Sequence, residues 1–372
     1  MITFQAAAGQ AVTVQNLLQL GPDCCTGTPS YVTFDGIDVN GCLVVKYDAP
    51  PQARPTHIAY KNAHIWATSD DGCHLVTILS TDSFTLSNVE LGPMCCGADA
   101  IELGITTEGF PNPSNILIDR VYIHDIYDTC RNMPGALKGK YGCSSTGYGD
   151  NGIGDHVDGI QAFGCSTCTI SNSRIYAINP SSSSSTGAAQ GIFFERANGG
   201  TYSNLTFINN MVACGCGSNV FSLGSAPNAG GFSGYIKFLY NSVQGRISID
   251  DRAGASGLEP GTQVVFAGNI ASGFHSGTAG EGDNDCYFTA TDGSRIRPVF
   301  AANMFGNVAC SASDRPGTPT WVSTNFFTPD FHLATIAQAA AEGASDYCPS
   351  TDLDGNARPL GAGCHIGADQ AG

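Results

Sequence analysis

The sequence predicts an all-β chain wound into a solenoid, because one short pattern returns along it. In each copy, two apolar residues separated by one residue precede a turn residue and further apolar residues, and copies begin near residues 32, 84, 116, 169, 205, 236 and 264. Alternation with period two is typical of a β-strand, and Asn, Asp or Gly permits the bend. Copies return after roughly 26 to 37 residues, so they predict coils that stack on one another.

The elements can be placed in chain order. Bent strands are predicted over residues 32–39, 84–89, 116–123, 169–172, 205–210, 236–243 and 264–269. These segments are rich in Val, Ile, Phe and Thr and have no helical periodicity, which excludes a helical solenoid. A run of alanines predicts one short helix at residues 335–343, which we expect to cap or cross the last coils.

The repeats and the C-terminal tail resemble one known family. The tail contains Asp-Leu-Asp-Gly-Asn-Ala-Arg-Pro at residues 352–359 and His-Ile-Gly-Ala at residues 365–368. With the repeats, it is similar to the right-handed parallel β-helix proteins of the pectate-lyase-like superfamily, which are secreted polysaccharide lyases, glycosidases and phage tailspikes. The resemblance implies a single right-handed parallel β-helix domain over residues 1–372, with long loops on one face and a closing segment at residues 344–372.

Composition limits the partners. The chain has 47 glycines, 42% hydrophobic residues and only 13% charged residues, which suits one long core with many turns. A formal charge of -16 argues against nucleic acid and anionic membranes, which both attract Lys and Arg. No stretch is long and apolar enough for membrane insertion, and we expect a monomer. Because residues 2–4 already resemble a strand, we expect a secretion signal, with or without an early coil, to precede Met1 in the native reading frame.

Sixteen cysteines predict an oxidising, extracellular compartment. Three pairs are near enough in sequence to close local loops: Cys130 with Cys143, Cys286 with Cys310, and Cys348 with Cys364. The alternative is a zinc site built from Cys165-x-x-Cys168 and Cys214-x-Cys216.

Aligning the strand that follows each long loop predicts a ligand-binding row on one outer face. The buried positions are taken as Ile101, Ile160, Ile192, Val220 and Ile247. Outward positions next to them, or two residues further on, hold carboxyl, amide and aromatic side chains, a mixture that binds sugars. The predicted substrate-binding residues are Glu102, Gln161, Phe163, Phe193, Glu195, Phe221 and Asp250, with His124 added from the preceding coil.

The densest polar segment runs from residue 150 to residue 161 and includes Asp155, His156 and Asp158. It follows a long loop that carries Lys138 and Lys140, and long loops on rigid scaffolds often carry function. The segment is similar to groove segments of β-helix proteins and, less closely, to the Asn-Thr-Asp-Gly element of polygalacturonase-like hydrolases, whose Asp matches Asp158. The remaining motifs of that hydrolase pattern are not found in this form.

Strict alternation places Asp158 on the same side as the buried Ile160. Asp99 holds the equivalent place in an earlier coil. This recurrence favours a structural cap at Asp158 over a catalytic role.

Two mechanisms remain open for a polysaccharide substrate. Elimination needs a base and a cation that neutralises a uronate, for which the candidates are His156, Lys138, Lys140 and Arg196, with calcium held by Asp125, Asp128, Asp150 and Asp155. Hydrolysis needs two carboxyl groups, such as Asp155 or Asp158 with Glu195 or Asp250.

The sequence therefore predicts a secreted protein that binds and cleaves a polysaccharide in a groove around residues 156–161. The alternative is a non-catalytic glycan-binding adhesin, tailspike-like or structural protein. The other six histidines have no argued partner and are treated as structural: His57, His64, His74, His275, His332 and His365.

Overall fold

The computed structural model describes most of the chain, and the regular structure in it is almost entirely β. The described residues are 1–21, 28–46, 54–67, 73–94, 98–104, 111–127, 135–141, 157–176, 190–195, 200–214, 219–224, 231–250, 257–277, 286–324, 330–334, 345–358 and 364–369. The helical elements in these ranges are α1 (Gly135–Tyr141) and a 3-10 turn (Ser345–Tyr347), and neither is long enough to cross a membrane.

The strands alternate between buried and more exposed side chains, as the period of two predicts. In chain order they are β1 (Ile2–Gln5), β2 (Val12–Leu20), β3 (Ser30–Asp35), β4 (Ile37–Val45), β5 (Thr56–Ala67), β6 (Val76–Ile78), β7 (Asp82–Met94), β8 (Ile101–Leu103), β9 (Ser114–Ile123), β10 (Ile160–Ala162), β11 (Cys165–Ser171), β12 (Arg174–Ile175), β13 (Ile192–Glu195), β14 (Tyr202–Ile208), β15 (Met211–Ala213), β16 (Asn219–Gly224), β17 (Phe232–Leu239), β18 (Ser242–Asp250), β19 (Gln263–Ala267), β20 (Ile270–Gly277), β21 (Phe288–Thr289), β22 (Arg295–Ile296), β23 (Val299–Ala301), β24 (Met304–Phe305), β25 (Trp321–Ser323) and β26 (Asp330–Leu333).

Among the described residues, 22 strands form one predominantly parallel sheet, which the register divides into three walls. Wall 1 contains β1, β3, the first halves of β5, β7 and β9, and then β11, β14, β17, β19 and β23. Wall 2 contains the first halves of β2 and β4, the second halves of β5, β7 and β9, and then β12, β15, the starts of β18 and β20, and β24. Wall 3 contains the second halves of β2 and β4, then β6, β8, β10, β13 and β16, and the ends of β18 and β20.

Each coil passes through walls 1, 2 and 3 in that order, which confirms the predicted parallel β-helix. The turns from wall 1 to wall 2 are tight, since β5, β7 and β9 each run through that corner without a break. From wall 2 to wall 3, β2, β4, β18 and β20 also run without a break, whereas the middle coils have longer connections there: β9 ends at Ile123 and β10 begins at Ile160. The long connections therefore border wall 3.

The interior is held together by stacks of identical side chains from successive coils. On wall 1, Phe207, Phe238, Phe266 and Phe300 stack with ring centroids 5.2, 4.7 and 5.2 Å apart. These distances are close to the spacing of neighbouring strands, roughly 4.8 Å. Each ring thus packs on the equivalent ring of the next coil.

Buried asparagines satisfy the backbone at the corner between wall 1 and wall 2. The side-chain amide of each donates to the side-chain oxygen of the next, over distances of 3.0 to 3.1 Å, in the order Asn210, Asn241, Asn269, Asn303 and Asp314. Each of these amides also donates to a backbone carbonyl. The bends are thus buried without leaving these amides unpaired, which a core position requires.

Disulfides join described cysteines in four pairs: Cys42–Cys73, Cys165–Cys168, Cys286–Cys310 and Cys348–Cys364. The last two confirm predicted pairs, whereas the predicted Cys130–Cys143 pair lies outside the described residues. The alternative zinc set is wrong, because Cys165 and Cys168 bond to each other and Cys214 is also in a disulfide. This number of disulfides is typical of extracellular proteins.

The C-terminal segment, described over residues 345–358 and 364–369, lies against the outside of wall 2. Leu353 and Ile366 pack in one apolar cluster with Met211, Ile270 and Met304. The segment is fixed there by the backbone amide of Ala368, which donates to the Ser242 hydroxyl at 3.0 Å. It covers the later coils of wall 2, whereas Tyr122 on an earlier coil of that wall is 39% exposed. The predicted helix at residues 335–343 lies outside the described residues.

Candidate active site

Wall 3 carries the outward row that the sequence predicts, with one change of register. The strand pairing aligns Thr77, Glu102, Gln161, Phe193, Ser222, Ser248 and His275 on successive coils. The neighbouring inward row is Val76, Ile101, Ile160, Ile192, Phe221, Ile247 and Phe274. Glu102 and Gln161 therefore lie side by side on the outer surface.

The prediction that Phe221 contacts substrate is wrong. Phe221, rather than Val220, pairs with Ile192 and is completely buried. Its ring packs edge-on against Phe207 and Phe238, with centroids 4.8 and 5.2 Å away. The pairing of β16 with β18 shifts by one residue just before Phe221, so the aligned position moves by one.

Two other predicted aromatic contacts are placed where they offer little surface. Phe193 belongs to the outward row but is 6% exposed, and Phe163, just after β10, is 9% exposed. Asp250 is aligned with Gly224 at the end of its strand, and Gly224 with Glu195, so Asp250 lies two coils beyond Glu195. The rings thus serve packing more than stacking on a ligand.

A column of hydrogen bonds fixes the chain before each wall 3 strand. The Asp158 amide donates to the Asp99 carboxylate at 2.6 Å, and the Gln190 amide donates to the carboxylate of Asp158. Asp158 is completely buried. This geometry is the backbone cap that strict alternation favours, so Asp158 holds the wall instead of facing a ligand.

The same column orients a histidine that the sequence analysis missed. The Asp99 amide donates to His74 Nδ1 at 3.1 Å, so the ring proton belongs on Nε2. His74 Nε2 lies 3.4 Å from Glu102 Oε2. The signal was present in the sequence, because His74 stands two residues before Val76 just as Asp99 stands two residues before Ile101.

Burial decides the charge of this pair. It raises the pKa of the Glu102 carboxyl to about 7. It also lowers the pKa of the His74 imidazole to about 4, against the opposing effect of the backbone hydrogen bond. Both groups are therefore uncharged in weakly acidic solution, and Glu102 holds a proton that it can give away.

The next two coils supply an amide and a second carboxyl group. Gln161 Nε2 donates to Glu195 Oε2 at 3.0 Å, and both side chains are partly exposed. Glu195 ends β13, two residues beyond Phe193 in the outward row. Glu102, Gln161 and Glu195 thus form a polar strip over three successive coils, which we call the wall 3 strip.

The remaining predicted site residues are not brought to this strip by the described contacts. His124 and Asp125 follow the wall 2 half of β9, and their side chains bond to each other at 2.8 Å. The described contacts of His124 are with Asp125, Glu90 and Tyr122, so its part in the predicted groove stays a prediction. Lys138 and Lys140 lie on α1 within the connection that leads to wall 3. Asp128, Asp150, Asp155, His156 and Arg196 lie outside the described residues, so the calcium site stays a prediction.

Neither the protein-family models nor the curated proteins match this chain. The fold and the wall 3 strip therefore carry the argument about function.

Proposed function

We propose that this chain is a secreted glycoside hydrolase of the pectate-lyase-like β-helix type, acting on a glycan bound across wall 3. One observation carries the proposal: the wall 3 strip holds two carboxyl groups, and burial raises the pKa of one of them, Glu102, to about 7. Glycoside hydrolysis needs such a pair, with one member protonated.

Glu102 is the proposed general acid. A carboxyl group with a pKa near the working pH can hold a proton and release it to the leaving glycosidic oxygen. His74 Nε2 lies 3.4 Å from Glu102 Oε2 and its Nδ1 is fixed by the wall, so His74 positions this carboxyl group.

Glu195 is the proposed partner that activates water. Its carboxyl group is oriented by Gln161 at 3.0 Å and lies two coils from Glu102. Glu195 is two strand spacings of roughly 4.8 Å from Glu102 and also two residues, roughly 7 Å, further along its strand, so the two backbone positions are roughly 12 Å apart. This offset exceeds the separation of about 5 Å between the carboxyl groups of retaining enzymes and leaves space for water. The proposed reaction therefore inverts the configuration of the anomeric carbon.

The site favours hydrolysis over elimination. Elimination on a uronate needs a cation beside the substrate carboxylate. The described part of the chain brings His74, instead of a lysine or arginine, within ion-pair distance of Glu102, and His74 is neutral because burial lowers its pKa to about 4. A chain of net charge -16 also repels anionic polymers, so we propose a neutral glycan as substrate.

The proposal is tested with a panel of neutral and uronate-containing polysaccharides, each with calcium and with chelator. We expect new reducing ends from at least one neutral glycan without the ultraviolet absorbance of an unsaturated uronate. Unsaturated products would instead establish a lyase. Binding without any cleavage on the whole panel would contradict hydrolysis and favour the glycan-binding alternative.

A further inference from the structure

A second groove runs along the outside of wall 2, away from the wall 3 strip. Its outward row contains His64, Glu90, Tyr122 and Arg174 on successive coils, and Asp38 accepts a hydrogen bond from the His64 amide one coil earlier. Three cavities of about 420, 270 and 370 Å³ lie along this row. All three are lined by Tyr122, so they form one continuous depression, which we call the wall 2 groove.

The C-terminal segment closes one end of the wall 2 groove. The position after Arg174 in the row is Met211, which is completely buried in the cluster with Leu353. Arg174 pairs with Asp354 of that segment, and His332 Nε2 lies 3.2 Å from Asp354 Oδ2. In the part of the chain that the structure describes, the groove is therefore open toward the first coils and blocked after Arg174.

The lining suits an uncharged ligand that is rich in hydroxyl groups. The Tyr122 ring is stacked on His124 with centroids 4.4 Å apart, yet Tyr122 remains 39% exposed. A half-exposed ring can cover the apolar face of a sugar. Hydrogen-bond donors and acceptors lie around it: Arg120 is cationic, Glu90 is anionic and Asn88 is neutral. A polyanion would meet the carboxylates and a polycation would meet the guanidinium groups, so charge complementarity favours a neutral ligand.

The lining of the wall 2 groove is repetitive. Its row places one side chain per coil, at intervals of roughly 4.8 Å, over the coils from Asp38 to Arg174. A polymer of similar units can offer the same hydroxyl groups to successive coils. The blocked end admits only a terminus of such a polymer.

We infer that the wall 2 groove is a second carbohydrate-binding site, which takes the end of a neutral glycan chain. The class of ligand rests on the proposed function, whereas the position of the site rests only on the groove itself. Tyr122 supplies the stacking surface, and the contacts of Arg174 and His332 with Asp354 form the end wall.

The test is calorimetric titration with soluble neutral oligosaccharides of defined sequence, in an E102Q background that prevents cleavage. Tyr122→Ala should weaken one binding event about tenfold, the loss of one stacking contact, while Tyr122→Phe should retain it. Tyr31→Ala is the matched control. Tyr31 stacks on His57 with the same centroid distance of 4.4 Å and is 51% exposed, but it lies on wall 1.

Equal affinities for the Tyr122→Ala and Tyr31→Ala variants would overturn the inference, as would the absence of any binding across the oligosaccharides. Thermal melting of each variant checks that it is folded. The outcome is separable from the proposed function, because reducing-end assays on the wild-type chain test hydrolysis. A failure of hydrolysis with a binding defect in Tyr122→Ala would remove the enzyme and keep the groove.

Discussion

Walls 2 and 3 are built from the same coils, yet the pKa values of their histidines shift in opposite directions. On wall 3, burial keeps Glu102 and His74 uncharged in weakly acidic solution. On wall 2, burial also opposes a charge on His124, but the hydrogen bonds and charges of Asp125 and Glu90 outweigh it and raise the pKa of His124. The charge state of a side chain in this solenoid therefore depends on the residues around its outward row, because the strands beneath the rows are equivalent.

The largest expected effect is the loss of hydrolysis when a carboxyl group of wall 3 is replaced. Glu102→Gln removes the proposed proton donor, so we expect hydrolysis to fall on the order of 10²- to 10⁴-fold. Glu195→Gln should cause a comparable loss. The control is Glu259→Gln, because the Glu259 carboxyl group accepts from the Thr291 hydroxyl at 3.2 Å, apart from both proposed sites. Reducing-end assays measure all three, and full activity in Glu102→Gln would contradict the assignment.

A second prediction concerns the pH dependence of hydrolysis. Because burial raises the pKa of Glu102 to about 7, the proton donor is lost as the pH rises through that value. We expect kcat/KM to fall about tenfold per pH unit above it. A profile that stays flat up to pH 9 or so would show that no such acid takes part.

A smaller effect should appear in stability. The folded pKa of Glu102, about 7, lies above its ordinary value of 4.5, so the folded state binds the proton more tightly than the unfolded state does. This contribution is complete at a pH below the unfolded pKa and is lost as the pH rises through the folded pKa. We expect the wild-type free energy of unfolding to fall by up to about 3 kcal/mol over this window relative to Glu102→Gln.

Urea denaturation of both chains at a pH below 4.5 and at a weakly alkaline pH measures this difference. The Glu259→Gln chain, as control, should follow the wild type. Parallel pH curves for wild type and Glu102→Gln would contradict the shifted pKa.

The smallest effect belongs to wall 2. The raised pKa of His124 means that its pairing with Asp125 and Glu90 stabilises the fold fully below the unfolded histidine pKa, and the gain is lost as the pH rises through the folded pKa. We expect the cost of His124→Gln to be larger on the acidic side by less than about 1 kcal/mol, because the loss of the ring contact with Tyr122 is the same on both sides. Denaturation midpoints at the two sides of neutrality measure it, and an equal cost at both would show that charge is not involved.

The repeats were enough to predict the stacked coils, because alternation and bends recur at every turn of the solenoid. They could not place Val220 and Phe221, since both are apolar and the one-residue shift in β16 depends on its pairing with β18. Glu102 and Gln161 were predicted to lie on the outward row because no shift intervenes between β8 and β10.

The sequence analysis missed a groove formed by residues that are far apart in the chain. His124 was added to the predicted site from the preceding coil, and its described contacts are with residues of wall 2. The wall 2 groove needs Arg174 and Asp354, which are 180 residues apart. No local pattern reports such a contact. His74 could have been found by extending the alignment one coil back.

The most direct test of the difference between the walls is an NMR titration of the Glu102 side-chain carboxyl carbon, assigned by its absence in Glu102→Gln. We predict a midpoint of about 7, so that this carboxyl group still holds its proton in weakly acidic solution. A midpoint near the ordinary glutamate value of about 4.3 would contradict it and remove the proton donor from wall 3.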